Sequence, residues 1–238
     1  QEYRKSVISE AVTKGLDPTV PMKDSGIEWI GEIPKYWNLA RVKQVCCKVT
    51  DGSHFSPPIV EDGYPYITAT NIRGRGIDYE SAKLIDEQSY TQLEKNGCRP
   101  KSGDVLMVKD GATTGRVGLM VDNEPCVILS SVALMRPTTI CNSDYLFFFL
   151  QSNSFQVQVL VSMAGSAMPR TTLDKLVEYF VVLPPSTEQR AITNYLDTKT
   201  AEIDALIKDK QTMADKLREY RKSLISEAVT GKFKVPGI

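Results

Sequence analysis

The 238 residues include a single histidine, and that scarcity removes whole classes of chemistry. Metal cages built on several imidazoles are excluded, and a Ser-His-Asp triad would have to use His54. No G-x-S-x-G elbow is present to present a nucleophile. A P-loop is absent, and Gly74 and Gly76 form G-R-G without the third glycine of a dinucleotide fingerprint. Five cysteines (46, 47, 98, 126 and 141) are odd in number and lack C-x-x-C spacing. Reduced thiols are therefore expected, in place of a disulfide frame or a zinc site. The longest unbroken apolar run, Tyr145 to Leu150, falls far short of the ~20 residues that span a bilayer. No secretory leader is read at the start. Excess charge is missing too, with 29 basic residues against 29 acidic ones. These absences predict a cytoplasmic protein with no membrane segment, no metal and no cofactor.

What the sequence does have is one long helical stretch. Pro184 and Pro185 end whatever precedes it, Ser186 stands at the N-cap position, and Gln189 completes a capping box. From there to Thr230 neither Gly nor Pro occurs, and Gly231 supplies a stop. Leu196, Ile203, Leu217 and Leu224 share one heptad position; Ile192, Leu206, Met213 and Tyr220 share the position three further on. Lys199, Lys210 and Glu227 interrupt the seam. A helix of about 43 residues is about 65 Å long. Its seam calls for a partner helix, which predicts a coiled-coil arm; a helix folded back over its own core is the alternative.

The end of this helix also occurs at the start of the chain. Glu219 to Thr230 reappear as Glu2 to Thr13, with Val7 in place of Leu224 as the one difference. Near-identity at an offset of 217 residues is an internal repeat. The chain holds one full period plus the tail of a preceding one. With Gln1 where an initiator Met would stand, the start is expected to be a cut inside a longer, twofold-repeated protein, or else the chain is a half-length form.

Three regions follow: 1–15 as the tail of a preceding helix, 16–183 as a globular domain, and 184–238 as the long helix with a short tail. Within the domain, Met22 to Trp37 is turn-rich, with Trp29, Ile30, Ile33 and Trp37 expected to pack inward. Alternation predicts strands near 39–49, 64–70, 105–109, 116–121 and 126–136. A helix is expected over 143–163, broken by Gly165-Ser166, then a short helix from Thr171 to Glu178 and a strand from Tyr179 to Leu183. Strands early and helices late give an α+β class, a strand-rich domain followed by a coiled-coil helix. Residues 16–183 carry 16 Lys and Arg against 19 Asp and Glu, so any anion-binding face must concentrate its cations.

The turns offer candidates for such a face. Arg73 and Arg75 alternate with glycines, which lets backbone and guanidinium approach a phosphate; a plain exposed turn is the alternative. Lys109, Thr113, Thr114 and Arg116 cluster in a strand–loop–strand unit suited to sugar–phosphate and base-edge contacts, or to an ordinary polar hairpin. Ser166 and Arg170 add a hydroxyl and a cation on a further loop.

Several stretches together resemble a known family. They are Met22 to Trp37, the Asp51-Gly-Ser-His54 loop, Gly103 to Arg116, Gly165 to Arg170, and Leu183-Pro-Pro-Ser-Thr-Glu-Gln-Arg-Ala-Ile192 followed by the long helix. Across essentially the whole chain they are similar to the specificity subunit of Type I restriction–modification enzymes. The resemblance implies a non-catalytic DNA reader, with one target recognition domain and one conserved helix of the two of each found in a complete subunit. It implies methyltransferase subunits as partners, restriction subunits through them, and antiparallel pairing of the long helices, hence a homodimer here. The expected DNA-contact residues are Ser53, His54, Asn71, Arg73, Arg75, Lys109, Thr113, Thr114, Arg116, Ser166 and Arg170. The expected helix-partner residues are the eight seam positions from Ile192 to Leu224. A DNA methyltransferase or nuclease would need a cofactor fingerprint and an N/D-P-P-Y/F loop, or an acidic metal cluster; Pro184-Pro185 is flanked by Leu and Ser instead. A structural coiled-coil adaptor leaves the turn-rich domain without a purpose.

Overall fold

A computed structural model describes residues 2–163 and 169–230; the expected breaker at Gly165-Ser166 and the stop at Gly231 lie outside them. Among the described residues no helix is long and apolar enough to cross a membrane. The chain divides into two compact units, the first ending at Leu196 and the second beginning at Asp197.

In the first unit, α1 (Glu2–Lys14) ends where Gly15 takes φ +80, and its Ile8, Ala11 and Val12 are buried. The turn-rich piece forms a hairpin of β1 (Met22–Asp24) and β2 (Glu32–Pro34). It buries Ile30, Ile33 and Trp37 as expected but leaves Trp29 exposed. The expected strand over 39–49 is two strands, β3 (Asn38–Arg41) and β4 (Cys46–Asp51), separated by the single turn α2 (Val42–Val45). Next come β5 (Ile59–Val60), β6 (Tyr64–Ile67), β7 (Gly74–Arg75), β8 (Lys83–Ile85) and α3 (Glu87–Lys95), then β9 (Val105–Val108), β10 (Val117–Leu119), β11 (Val127–Ile128) and β12 (Val132–Pro137). Ser152 divides the expected helix over 143–163 into α4 (Ser143–Gln151) and α5 (Asn153–Met163) by giving its hydroxyl to the Phe149 carbonyl. The short α6 (Leu173–Leu176) and β13 (Phe180–Leu183) lead into α7 (Ser186–Val229). The class is α+β, with a long C-terminal helix.

Five strands form the central sheet in the order β4-β12-β9-β10-β7, and four more form a second sheet, β11-β6-β8-β5. Strands β9 and β12 are covered on both faces. Val105, Met107, Ala133 and Met135 point into one core with α1, α4 and β13; Leu106, Val108, Val132 and Leu134 point into another with the second sheet. Side chains alternate across a strand, so a strand between two cores must be apolar at every position. Helix α4 obeys the same logic, with Tyr145 to Leu150 all buried. The Tyr145 hydroxyl lies 2.8 Å from the Val182 carbonyl oxygen and 3.1 Å from that of Val12, joining β13 and α1. Burial pushes its phenol well above the ordinary range.

The start of α7 departs from the expected capping box. Glu188 and Gln189 donate their amides to the Pro185 carbonyl, so Ser186 already lies inside the helix. Gln189 is buried and does not reach back to Ser186. Its amide bonds the Ile140 and Pro184 carbonyls and accepts from the Asn142 amide, because buried polar groups must be paired wherever partners stand. Glu188 accepts from Tyr36 and from the Trp37 indole at 3.0 Å, tying the hairpin segment to the helix. Ile192 and Leu196 are 1% and 0% exposed in the domain core, so these two seam positions pack on their own domain. In the second unit Leu206, Met213, Leu217, Tyr220 and Leu224 are exposed, and Ile203 is half-buried.

A buried charge that is costly to disturb is Asp104, 1% exposed and gripped by Arg136 through two bonds of 2.7 Å. Replacing Arg136 with Leu leaves that carboxylate buried without its partner. The expected loss of stability is about 3–5 kcal/mol, measured by urea unfolding at neutral pH.

Candidate nucleic-acid interface

Three loops meet beyond the end of β9. The β9–β10 turn is closed by Val108 and Arg116, whose amide and carbonyl pair at 2.8 Å. Gly111 and Gly115 hold φ +96 and +90 inside it, which is why the sequence places glycine after Asp110 and Thr114. Gly111 donates to the Pro169 carbonyl and Thr171 to that of Lys109, and an isolated bridge joins Asp110 to Arg170. Lys109 in turn donates its amide to Ser131, beside the 51–54 loop, where Ser53 bridges to Leu129. Gly52 is required there: a Cβ would lie 1.8 Å from the Ile128 carbonyl oxygen.

A chain of polar and ionic contacts runs through this junction. Lys109, 2% exposed, places its ammonium 2.9 Å from Asp110 Oδ2 and 3.3 Å from Asp51 Oδ2. Asp51 Oδ1 lies 3.1 Å from His54 Nε2, and Asp110 Oδ1 lies 3.1 Å from Arg170 Nε. The Arg170 contact is ionic only, since that oxygen accepts no hydrogen bond. Two carboxylates around one ammonium offset the penalty for removing its charge from water. Lys109 is therefore engaged by these loops in this structure, buried between two carboxylates where the sequence suggested an exposed cation.

Two more of the expected contact residues are buried and internally bonded. Ser53 is 3% exposed and exchanges hydrogen bonds with Phe55. Asn71, 2% exposed, accepts from the Thr68 amide and hydroxyl and donates to Asp78 and Ser81, which satisfies its side chain internally. Thr114 gives its hydroxyl to Gly111 at 2.7 Å, and Thr113 is half-buried in the same turn. Ser166 lies outside the described residues.

His54, Arg73, Arg116 and Arg170 are exposed. His54, Arg116 and Arg170 belong to the stitched loops. Arg73 reaches them through the parallel pairing of β7 with β10: one step back from the Gly74–Gly118 pair stand Arg73 and Val117, and Arg116 precedes Val117. Arg73 also contacts Asp78, whose carboxyl is held below the usual range by hydrogen bonds from Ser81, with Arg73 contributing. Arg75 points elsewhere: it pairs with Asp144 at 2.6 Å and lies 5.4 Å above both the Phe147 and Phe148 rings. Phe55, 43% exposed beside His54, was passed over in the sequence; an aromatic in a polar turn was its only signal.

The arrangement offers guanidinium, imidazole and aromatic groups. Burial raises the Cys126 and Cys141 thiols to about 12, which keeps them protonated and unreactive. Among the described residues no group of three or more His, Cys, Asp or Glu is placed to hold a metal.

Known proteins share this sequence pattern and fold. The family described as the Type I restriction modification DNA specificity domain matches residues 34–213. The specificity subunit of the Type I restriction enzyme MjaVIII from Methanocaldococcus jannaschii is 24% identical, over 99% of this chain and 54% of that protein. The EcoKI specificity subunit of Escherichia coli is 20% identical, over 85% of this chain and 44% of its own length. The chain thus spans about half the length of the curated relatives it matches. The crystal structure of the HsdS subunit from Thermoanaerobacter tengcongensis superposes with a TM-score of 0.61 at 20% identity, covering 98% of this chain and 51% of that one. The match over residues 34–213 takes in most of the chain, which belongs to the Type I restriction modification DNA specificity domain family.

Proposed function

We propose that this chain is a non-catalytic DNA reader that recognises one half of a split site for a Type I restriction–modification complex. The observation that carries the reading is the junction of three loops. A buried Lys109 fixes its interior while His54, Arg116 and Arg170 stand exposed around it, with Arg73 on the adjoining strand. Guanidinium groups on a rigid base suit phosphate and guanine contacts, and the exposed Phe55 suits apolar contact with a thymine methyl. In this reading 16–183 is the recognition domain, 1–15 the tail of a preceding helix, and 184–238 the conserved helix. That helix docks methyltransferase subunits, and restriction subunits through them, in the cytoplasm.

The apolar seam from Ile203 to Leu224, exposed over most of its length in a single chain, supports twofold pairing of antiparallel α7 helices. In such a dimer both halves read the same bases, so the target is an inverted repeat with an unread gap. Heptad repeats then make α7 a ruler between the half-sites.

Three measurements follow. Alanine at Arg73, Arg116 or Arg170 should each lower the slope of log affinity against log salt by about 0.9 where the side chain meets a phosphate. Where it reads a base, the cost should be about 1–3 kcal/mol and one position should relax; titration against duplex at several salt concentrations separates the two. An unchanged triple variant removes this surface. Leu206→Lys with Leu217→Lys should yield monomers in sedimentation, since the exposed positions leave the fold intact while the seam gains unpaired charge. Deleting Lys199 to Ala205 keeps the heptad register and shortens the helix by about 10 Å. At 3.4 Å per base pair that is about three base pairs of gap, read from the methylation sites of the assembled complex. An unchanged gap in a folded, dimeric variant assigns the spacing to the loops instead.

A further inference from the structure

Asp110 and Arg170 face each other across the isolated bridge that joins the β9–β10 turn to the loop before α6. The flanking amides carry the bonds, Gly111 to the Pro169 carbonyl and Thr171 to that of Lys109, both at 2.9 Å. Residues 110 and 170 are thus a non-hydrogen-bonded antiparallel pair, in which opposed side chains leave the same face and stand closest. The main chain already holds the two loops, so the side-chain pair is not needed to join them. It is also a poor joint. Arg41–Glu178, Arg75–Asp144 and Arg136–Asp104 are hydrogen-bonded. Arg170 Nε instead lies 3.1 Å from Asp110 Oδ1 without a hydrogen bond, which leaves Oδ1 a buried acceptor unsatisfied. Lys109 meanwhile holds Oδ2 at 2.9 Å and steadies the carboxylate. A buried acceptor of this kind calls for a donor. The Arg170 side chain beside it is 58% exposed, so it can move off Oδ1 without disturbing the core.

We infer that Asp110 and Arg170 form a two-residue reader for one C·G base pair in the major groove. Asp110 Oδ1 accepts from cytosine N4, and the Arg170 fork donates to guanine O6 and N7. A carboxylate can only accept, and in the major groove amino donors are offered by cytosine and adenine alone. The arginine beside it decides between them. A C·G pair sets one donor next to two acceptors, which matches one carboxylate oxygen next to a bidentate guanidinium. An A·T pair sets single acceptors on either side of its donor, so the fork loses a bond. Guanine or thymine opposite Oδ1 presents an acceptor to an acceptor and is rejected. In the free chain the two side chains occupy each other; on DNA each exchanges the other for its half of the pair. The inference rests on the proposed meeting of this loop junction with DNA, yet it fails independently of it.

The test selects binders to the full chain from a pool of randomised duplexes and compares the wild type with Asp110→Asn and Arg170→Ala. The wild type should specify a C·G pair at one position. In Asp110→Asn the amide oxygen stays on Lys109, so a donor stands where Oδ1 stood. Preference for C·G over T·A, whose thymine O4 accepts, should fall about 5- to 150-fold at that position and nowhere else. Arg170→Ala removes an exposed side chain, leaves the fold intact and should relax the same pair. Should Asp110→Asn not fold, Asp110→Glu keeps the charge beside Lys109 and misplaces the acceptor, with the same relaxation expected. Variants that keep the wild-type profile, or that relax two different pairs, overturn the inference and leave the junction as the DNA contact. An Arg170→Ala chain that keeps the profile and lowers the salt slope makes Arg170 a phosphate contact and likewise overturns it. A wild-type chain that selects no sequence overturns the proposed function as well.

Discussion

Burial of β9 and β12 on both faces is the constraint from which the rest of the domain follows. Every residue from Val105 to Lys109 is buried, so the strand delivers the residue that follows it, a lysine, into the interior. An ammonium cannot stay there without counter-charge, and Asp51 and Asp110 supply it from two different loops. The loop junction is thus a consequence of core packing. Its rigidity comes from a charge that has no way back to water.

The domain also keeps several of its cations near carboxylates. Arg73 faces Asp78, Arg75 faces Asp144, Arg170 faces Asp110, and Arg41 and Lys43 share Glu178. An arginine held this way is oriented before any ligand arrives, which reduces the ordering cost of binding. The same carboxylates repel a phosphate placed wrongly. In the proposed function, exchange of partners gains discrimination at the expense of bulk attraction, in keeping with the balanced charge.

Much of this was legible in the sequence. The long helix, the strands at 105–109 and 116–121 and the helical stretch at 143–163 were written in apolar periodicity, which did not show the division at Ser152. Gly15 and Gly111 mark turns that need positive φ. What was hidden depended on distant partners. Helix α3 has only Tyr90 and Leu93 as its apolar face, and its start rests on Asp86 capping Ser89, a signal too short to stand out. Lys109 and Asn71 looked like surface groups because the aspartate and serine that satisfy them come from turns or from other loops. Ile192 and Leu196 fit the heptad perfectly, and periodicity alone does not say whether the face meets a partner or the helix's own domain. Ser186 and Gln189 matched a capping box, but Pro185 had already supplied the first carbonyl.

The Tyr145 hydroxyl has a consequence for how the chain acquires its fold. It joins Val12 to Val182, and its bond to Val12 alone closes a separation of 133 residues. Strand β3 likewise waits for β13. During synthesis the first core cannot close until residue 196 has left the ribosome, while Trp37, β4 and the apolar face of α1 are already made. Long-range closure of this kind slows folding and exposes strand edges meanwhile. The nascent chain is therefore most vulnerable to association just before β13 and the start of α7 emerge, when the greatest apolar area awaits its last cover.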